Sequence, residues 1–223
     1  MKILLLADEA EPTLWEHLNR KRLEGVELIL SCGDLPASYL SFLTCFTTAP
    51  VVYIHGNHDT GYDRKPPEGC ECIDGQVYTF HGIRILGLDG CMRYKPGDYQ
   101  YTEKEMAARL AKAHGQVRRA GGIDILLTHA PAKGLGDDKD LCHQGFETFL
   151  RAMSMYHPQV MAHGHVHKSY TAHFVREREY EGTRVINAFG SFVIDIQPGE
   201  KTKYPLFPAG GLSLREKLHL NKS

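Results

Sequence analysis

Val51-Val52-Tyr53-Ile54-His55-Gly56-Asn57-His58-Asp59 is the stretch from which the rest of this chain can be read. Four apolar residues, three of them β-branched, describe a short buried strand, and a polar segment with a turn-forming glycine follows directly. Earlier segments repeat the pattern. The apolar run over residues 2–7 stops at Asp8, and Val26 to Leu30 leads into Ser31-Cys32-Gly33-Asp34. Pro12 opens and Gly25 closes a stretch in which Leu14, Trp15 and Leu18 share a helical face, and a second helix is expected from Ala37 to Phe46. Strand, helix, strand, helix, strand is the opening of a parallel α/β sheet. Further on, Ile123 to Leu127 is another buried strand, ending at Thr128-His129. Asp8, Asp34, Asn57 and His129 therefore all follow the C-terminal end of a strand, the edge where connecting loops converge on ligands.

Residues 71–88 read as antiparallel strands around Asp74-Gly75. Thr102 and Glu105 form a capping box for a helix that buries Met106, Leu110, Ala113 and Val117 and closes at Gly121-Gly122. A helix over about 145–155 and a strand near Val160 follow, and residues 169–176, 179–187 and 191–196 are expected as closing antiparallel strands. Residues 1–197 make one domain in this reading. The tail over 198–223, with Leu212, Leu214, Leu218 and Leu220, is peripheral and has no assigned role.

Composition excludes several function classes. Lys plus Arg total 26 against 27 for Asp plus Glu, a formal charge of -1, so there is no broadly basic glove for nucleic acid. No apolar run approaches the roughly 20 residues of a membrane span, and the N-terminal run is too short for a secretory signal. Six cysteines at irregular spacing, with only Cys70 and Cys72 close together, fit reduced thiols, and a cytoplasmic location is expected.

The chemistry lies in five elements in order: Asp8, Gly33-Asp34, Gly56-Asn57-His58-Asp59, His129 and Gly164-His165-Val166-His167. Carboxylates, a carboxamide oxygen and imidazoles suit borderline divalent metals. Each residue also has an ordinary reading as a helix cap, turn residue or packing histidine. Those readings do not account for the whole series occurring in this order.

In this order the elements resemble the calcineurin-like metallophosphoesterase superfamily, whose pattern runs D-x-H, G-D, G-N-H-D/E, a lone His, then G-H-x-H. The resemblance spans residues 8–167. It implies an α/β fold, a four-layer α/β/β/α sandwich of two mixed sheets with metals at one rim. It also implies two divalent metal ions (Mn, Fe or Zn, with Mn favoured). Asp8, Asp34 and His167 would hold the first metal, and Asp34, Asn57, His129 and His165 the second, with Asp34 bridging. A metal-bridging hydroxide would attack phosphorus. His58 would stabilise the developing charge or protonate the leaving group, while Asp59 either orients His58 or caps the next turn.

The chain departs from the pattern at Ala10, where the family has histidine. Either Glu9 or Glu11 substitutes through oxygen, or the first metal is held by three residues and water, and held weakly. Arg93, Tyr94, Asp137 and His143 are candidate substrate contacts, each with a surface or loop role as its alternative. The expected activity is hydrolysis of a small or nucleotide-like phosphoester, phosphodiester ahead of phosphomonoester. Two other readings stay in view: a catalytically weak or inactive binding scaffold on the same fold, and a nuclease.

Overall fold

Alternation along the first strand sets the layers. In β1 (Lys2–Ala7) Ile3, Leu5 and Ala7 enter one core while Leu4 and Leu6 enter another, so both faces of the strand are covered. Each of these leucines and isoleucines is fully buried, worth about 1.5–3 kcal/mol apiece relative to exposure. The computed structural model describes residues 1–167 and 174–206.

Next come β2 (Leu28–Ser31), α1 (Ala37–Thr44), β3 (Val51–Tyr53), β4 (Cys70–Cys72), β5 (Val77–Phe80) and β6 (Ile83–Leu88). A small pair, β7 (Cys91–Met92) and β8 (Gln100–Tyr101), precedes α2 (Glu103–Ala120) and β9 (Ile125–Thr128). The described chain is completed by α3 (Glu147–Tyr156), β10 (Val160–His163), β11 (Glu177–Tyr180), β12 (Thr183–Asn187) and β13 (Gly190–Asp195). One sheet has the order β13-β1-β2-β3-β4 and the other β11-β12-β10-β9-β6-β5. Both mix parallel and antiparallel pairs.

The central core is shared between the sheets: Ile3, Leu30 and Val52 from the first meet Ile85, Leu127 and Ile186 from the second. Outside the first sheet lies α1, packing Tyr39, Leu40 and Leu43 on Leu4, Leu6 and Ile29. Outside the second lie α2 and α3, whose Met106, Val117, Phe149 and Met153 cover Leu86, Leu126 and Met161. This is the α/β/β/α sandwich expected from the resemblance. The Thr102–Glu105 capping box opens α2 as anticipated, and Gly121 closes it in the left-handed conformation. None of the described helices is long and apolar enough to cross a membrane.

Several local expectations are corrected. The first helix is replaced by two short 3-10 turns, Pro12–Leu14 and Arg20–Leu23. Asn19 breaks the run, because its side chain accepts from Lys21 N and starts a new turn. Residues 71–88 are not one antiparallel unit. Here β4 runs parallel beside β3, and Asp74-Gly75 carries the chain across to the other sheet before β5 and β6 pair antiparallel. The segment 179–187 contains a turn, with Glu181 and Gly182 at positive φ between β11 and β12. The closing strands also divide between the sheets: β12 lies parallel to β10, and β13 antiparallel to β1. Alternation specifies a face, not which sheet a strand joins. The expected strand over 169–176 falls largely outside the described residues, as do Leu212, Leu214, Leu218 and Leu220. Before that, Gly199 N donates to Asp124 and His114 Nε2 bonds Pro205 O, so residues 199–205 lie against the domain.

Candidate active site

The expected residues do meet at strand ends. Asp8 follows β1, Asp34 lies past β2, Asn57 and His58 past β3, His129 follows β9, and His165 and His167 lie past β10. Backbone conformation marks the place: Asp8, Asp34 and His165 have φ values of 64°, 57° and 69°, a left-handed region that side chains other than glycine rarely occupy. Two glycines permit the crowding. A Cβ on Gly56 would collide with Asp34 Oδ1, and one on Gly164 would lie 2.7 Å from Asp8 Oδ2.

At the centre is His129, fully buried. Its Nδ1 lies 2.8 Å from Cys32 O, which makes that nitrogen the donor and turns the Nε2 lone pair inward. There it meets Asn57 Oδ1 at 3.1 Å, His165 Nδ1 at 3.1 Å and Asp34 Oδ2 at 3.3 Å. His165 is fixed in the same way, with Nε2 donating to Cys142 O at 2.6 Å and Nδ1 facing the cluster. With both imidazoles neutral, four lone-pair-bearing atoms converge there with no proton between them. Burial opposes the His129 imidazolium, but the Asp34 carboxylate overcomes it and lifts the imidazole to about 9. Burial and the His129 charge push His165 down to about 3. Two imidazoles, a carboxylate and a carboxamide thus present the donor set of a divalent cation at one point. These residues fit such an ion.

The remaining expected ligands are less tightly gathered. Asp8 has a fully buried carboxylate that accepts from His165 N at 2.9 and 3.0 Å, and Oδ1 is 3.6 Å from His167 Nε2. That carboxylate raises the His167 imidazole above its usual range. Among the described residues, the donor groups drawn within 4.8 Å of one another are Asp34, His129 and His165, and separately Asp140, Cys142 and His143. Glu9 and Glu11 belong to neither group. Glu11 is engaged elsewhere, accepting from Thr13 Oγ1 at 3.0 Å and Ser191 Oγ at 3.2 Å. Ala10 packs against the outer core of the first sheet.

His58 is exposed, and its backbone N–H donates to Asp34 Oδ1 at 2.8 Å, which ties the residue to the cluster. Asp59 is buried, and its Oδ2 accepts from Gly56 N at 2.7 Å and Asp34 N at 2.8 Å. It ties the loop after β3 to the loop after β2, a role distinct from both expectations for it. A cavity of about 470 Å³ opens beside His58, lined also by Ser38, Ser41, Tyr62 and Lys65.

The four candidate substrate contacts are placed differently. Arg93 pairs with Glu105 at 2.9 Å and with Gln100 O at 3.1 Å, at the start of α2. Tyr94 packs on the core beneath α2 and α3. Asp137 holds its own loop together, accepting from Gly134 N and Gly145 N. His143 does approach the site, with its ring 5.1 Å from that of His165.

Sequence reasoning did not identify a buried ionic network behind the metal-facing loops. Asp89 is 1% exposed and binds His55 Nδ1 at 3.2 Å and Arg109 at 2.7 Å. His55 O in turn accepts from Gly90 N, and Gly90 O from Ala130 N, so the network braces the segments carrying Asn57 and His129. The signal was an arginine on the apolar-facing side of α2, which periodicity alone does not pair with a distant aspartate.

The profile of the calcineurin-like phosphoesterase superfamily domain matches residues 1–203. Among solved structures, one crystal structure superposes with a TM-score of 0.63 at 12% identity, covering 87% of this chain and 94% of that one. TT1561 of Thermus thermophilus gives 0.57 at 15% identity, with 84% and 88% covered. GAP50, the anchor in the inner membrane complex of Plasmodium, gives 0.50 at 14% identity, with 84% and 70% covered. No curated protein matches significantly. At these identities the structural likenesses establish a shared fold.

Proposed function

Because the chain belongs to the calcineurin-like phosphoesterase superfamily, we propose that this rim hydrolyses a small or nucleotide-like phosphoester, with diesters preferred over monoesters. The observation that carries the reading is the convergence of Asp34, Asn57, His129 and His165 on one point. Those four residues would hold one divalent cation; Asp8, Asp34 and His167 would hold the other. When bound, such ions acidify water and neutralise charge on phosphoryl oxygens. The protein's own part is orientation. Cys32 O and Cys142 O fix the two imidazole tautomers, and Asp59 clamps the neighbouring loops. The exposed His58 ring would donate to a phosphoryl oxygen or to the departing alcohol. The adjoining cavity beside His58 would accept that alcohol, and its size favours a small substrate.

Mn is the first cation to test, ahead of Fe and Zn. The experiment is hydrolysis of an aryl phosphodiester and an aryl phosphomonoester by chelator-stripped protein as Mn is returned. Turnover that depends on Mn and disappears in both Asn57→Ala and His58→Ala is expected. No turnover on either ester with Mn, Fe, Co, Ni or Zn overturns the reading. A second reading, a binding scaffold, is favoured by one observation: Ala10 removes an imidazole from the less assembled half of the site. Salt-sensitive DNA binding with strand cleavage would instead point to a nuclease.

A further inference from the structure

The loop between β9 and α3 contains a second convergence of donors. Asp140, Cys142 and His143 lie on one short 3-10 turn. Cys142 Sγ is 2.9 Å from Asp140 Oδ1 and 3.2 Å from His143 Nδ1, which is itself 2.8 Å from Asp140 Oδ2. Carboxylate, thiol and imidazole together are a zinc donor set, and four-coordinate zinc spaces such atoms about 3.3–3.6 Å apart given its bond lengths. The triangle therefore needs to open by roughly 0.3–0.6 Å along each side. Capping accounts for part of the arrangement, since Asp140 Oδ1 also accepts from Cys142 N and His143 N at 3.2 Å. A cap does not require a thiol and an imidazole to meet at the same carboxylate. The turn also touches the main cluster, because Cys142 O is the acceptor that fixes the His165 ring.

We propose that Asp140, Cys142 and His143 form a third cation site, taking a thiophilic ion such as zinc, that pins this turn against His165. Loading replaces the Cys142 thiol proton, which passes to solvent, and leaves one coordination position for water or an anionic ligand. The site goes beyond the hydrolytic reading and does not depend on it.

The main cluster has no sulfur donor, so the two are separable by spectroscopy. Cobalt(II) added to the metal-stripped full chain should produce a near-ultraviolet thiolate-to-cobalt charge-transfer band. The band should vanish in Cys142→Ser and persist in Asn57→Ala and in the Cys70→Ser/Cys72→Ser double variant. His143→Ala should weaken cobalt binding at this band by about tenfold or more, and provides the same test should Cys142→Ser fold poorly. Absence of the band in the parent protein overturns the proposal. So does its persistence in folded Cys142→Ser, or its loss with Cys70 and Cys72. Hydrolysis is not part of the readout, so an inactive protein that shows the band still supports the site.

Discussion

Replacing Asp59 distinguishes a loop clamp from a group that acts on substrate. Its Oδ2 serves two backbone amides, Gly56 N at 2.7 Å and Asp34 N at 2.8 Å, in a residue only 4% exposed. Truncation leaves both donors stranded. At about 1–3 kcal/mol for each unsatisfied buried group, Asp59→Ala should lose roughly 2–6 kcal/mol of stability. Asp59→Asn keeps an oxygen where both amides point. Burial already lifts the carboxyl to about 6 despite those amide bonds, so its charge adds little. The asparagine variant should therefore lose only about 1 kcal/mol. Urea unfolding of metal-stripped protein measures both values, and Mn-dependent hydrolysis of an aryl phosphodiester measures function. The clamp predicts a stable Asn variant with near-parental turnover, and an Ala variant impaired in both. An Asn variant that is fully stable yet slowed by the ~10²–10⁴-fold typical of a lost proton donor would refute the clamp.

Three further outcomes are expected. Calorimetric titration of stripped protein with Mn should resolve two affinities at least about tenfold apart, or ~1.4 kcal/mol. Asn57→Ala should remove the tighter one, and equal affinities would refute the asymmetry. Arg93→Ala should leave KM for both ester classes unchanged, because Arg93 pairs with Glu105 outside the cluster; a raised KM would return it to the site. Asp124→Ala should cost about 3–5 kcal/mol by stranding buried Arg84, with kcat unaffected. Burial opposes the Asp124 charge, but Arg84 wins and holds the carboxyl below its usual range. A depressed folded-state value means that this stability is present above the unfolded value, about 4, and fades as pH falls below it. The gap in urea midpoint between parent and variant should accordingly shrink from pH 7 to pH 3, and a constant gap would refute the assignment.

The positions of the site residues were legible because a buried strand and the polar residue ending it are both local signals. Asp8, Asp34, Asn57 and His129 sit where those strand ends predict, and the four layers were expected from the family resemblance rather than from the apolar pattern. What local pattern does not encode is partnership. Glu11 looked available in the sequence but is engaged by Ser191, a residue 180 positions away. Asp59 looked like a companion of His58, yet its oxygen serves Asp34 N across the sheet edge. The pairing of β13 with β1 depended on a choice between two equally apolar sheets. Cys142 was missed for the same reason, because its contribution to His165 comes from a backbone carbonyl that carries no residue-type signal.

These partnerships also weigh on whether Ala10 marks a lapsed enzyme. The loops at the rim are tied in a closed circuit: Asp8 N to Gly33 O, Asp34 N to Asp59, His129 to Cys32 O, Gly164 N to His129 O, and His165 N back to Asp8. Three members of that circuit, Asp8, Asp34 and His165, hold left-handed backbone that costs on the order of 1–2 kcal/mol each. A fold used only to display a surface has no physical reason to keep that strain, nor to aim four lone pairs at one another in its interior. Ala10 lies outside the circuit, with its methyl group on the outer core. Ala10 leaves every tie that positions the other residues in place, and under the proposed function it would lower the affinity of one cation position rather than dismantle the centre.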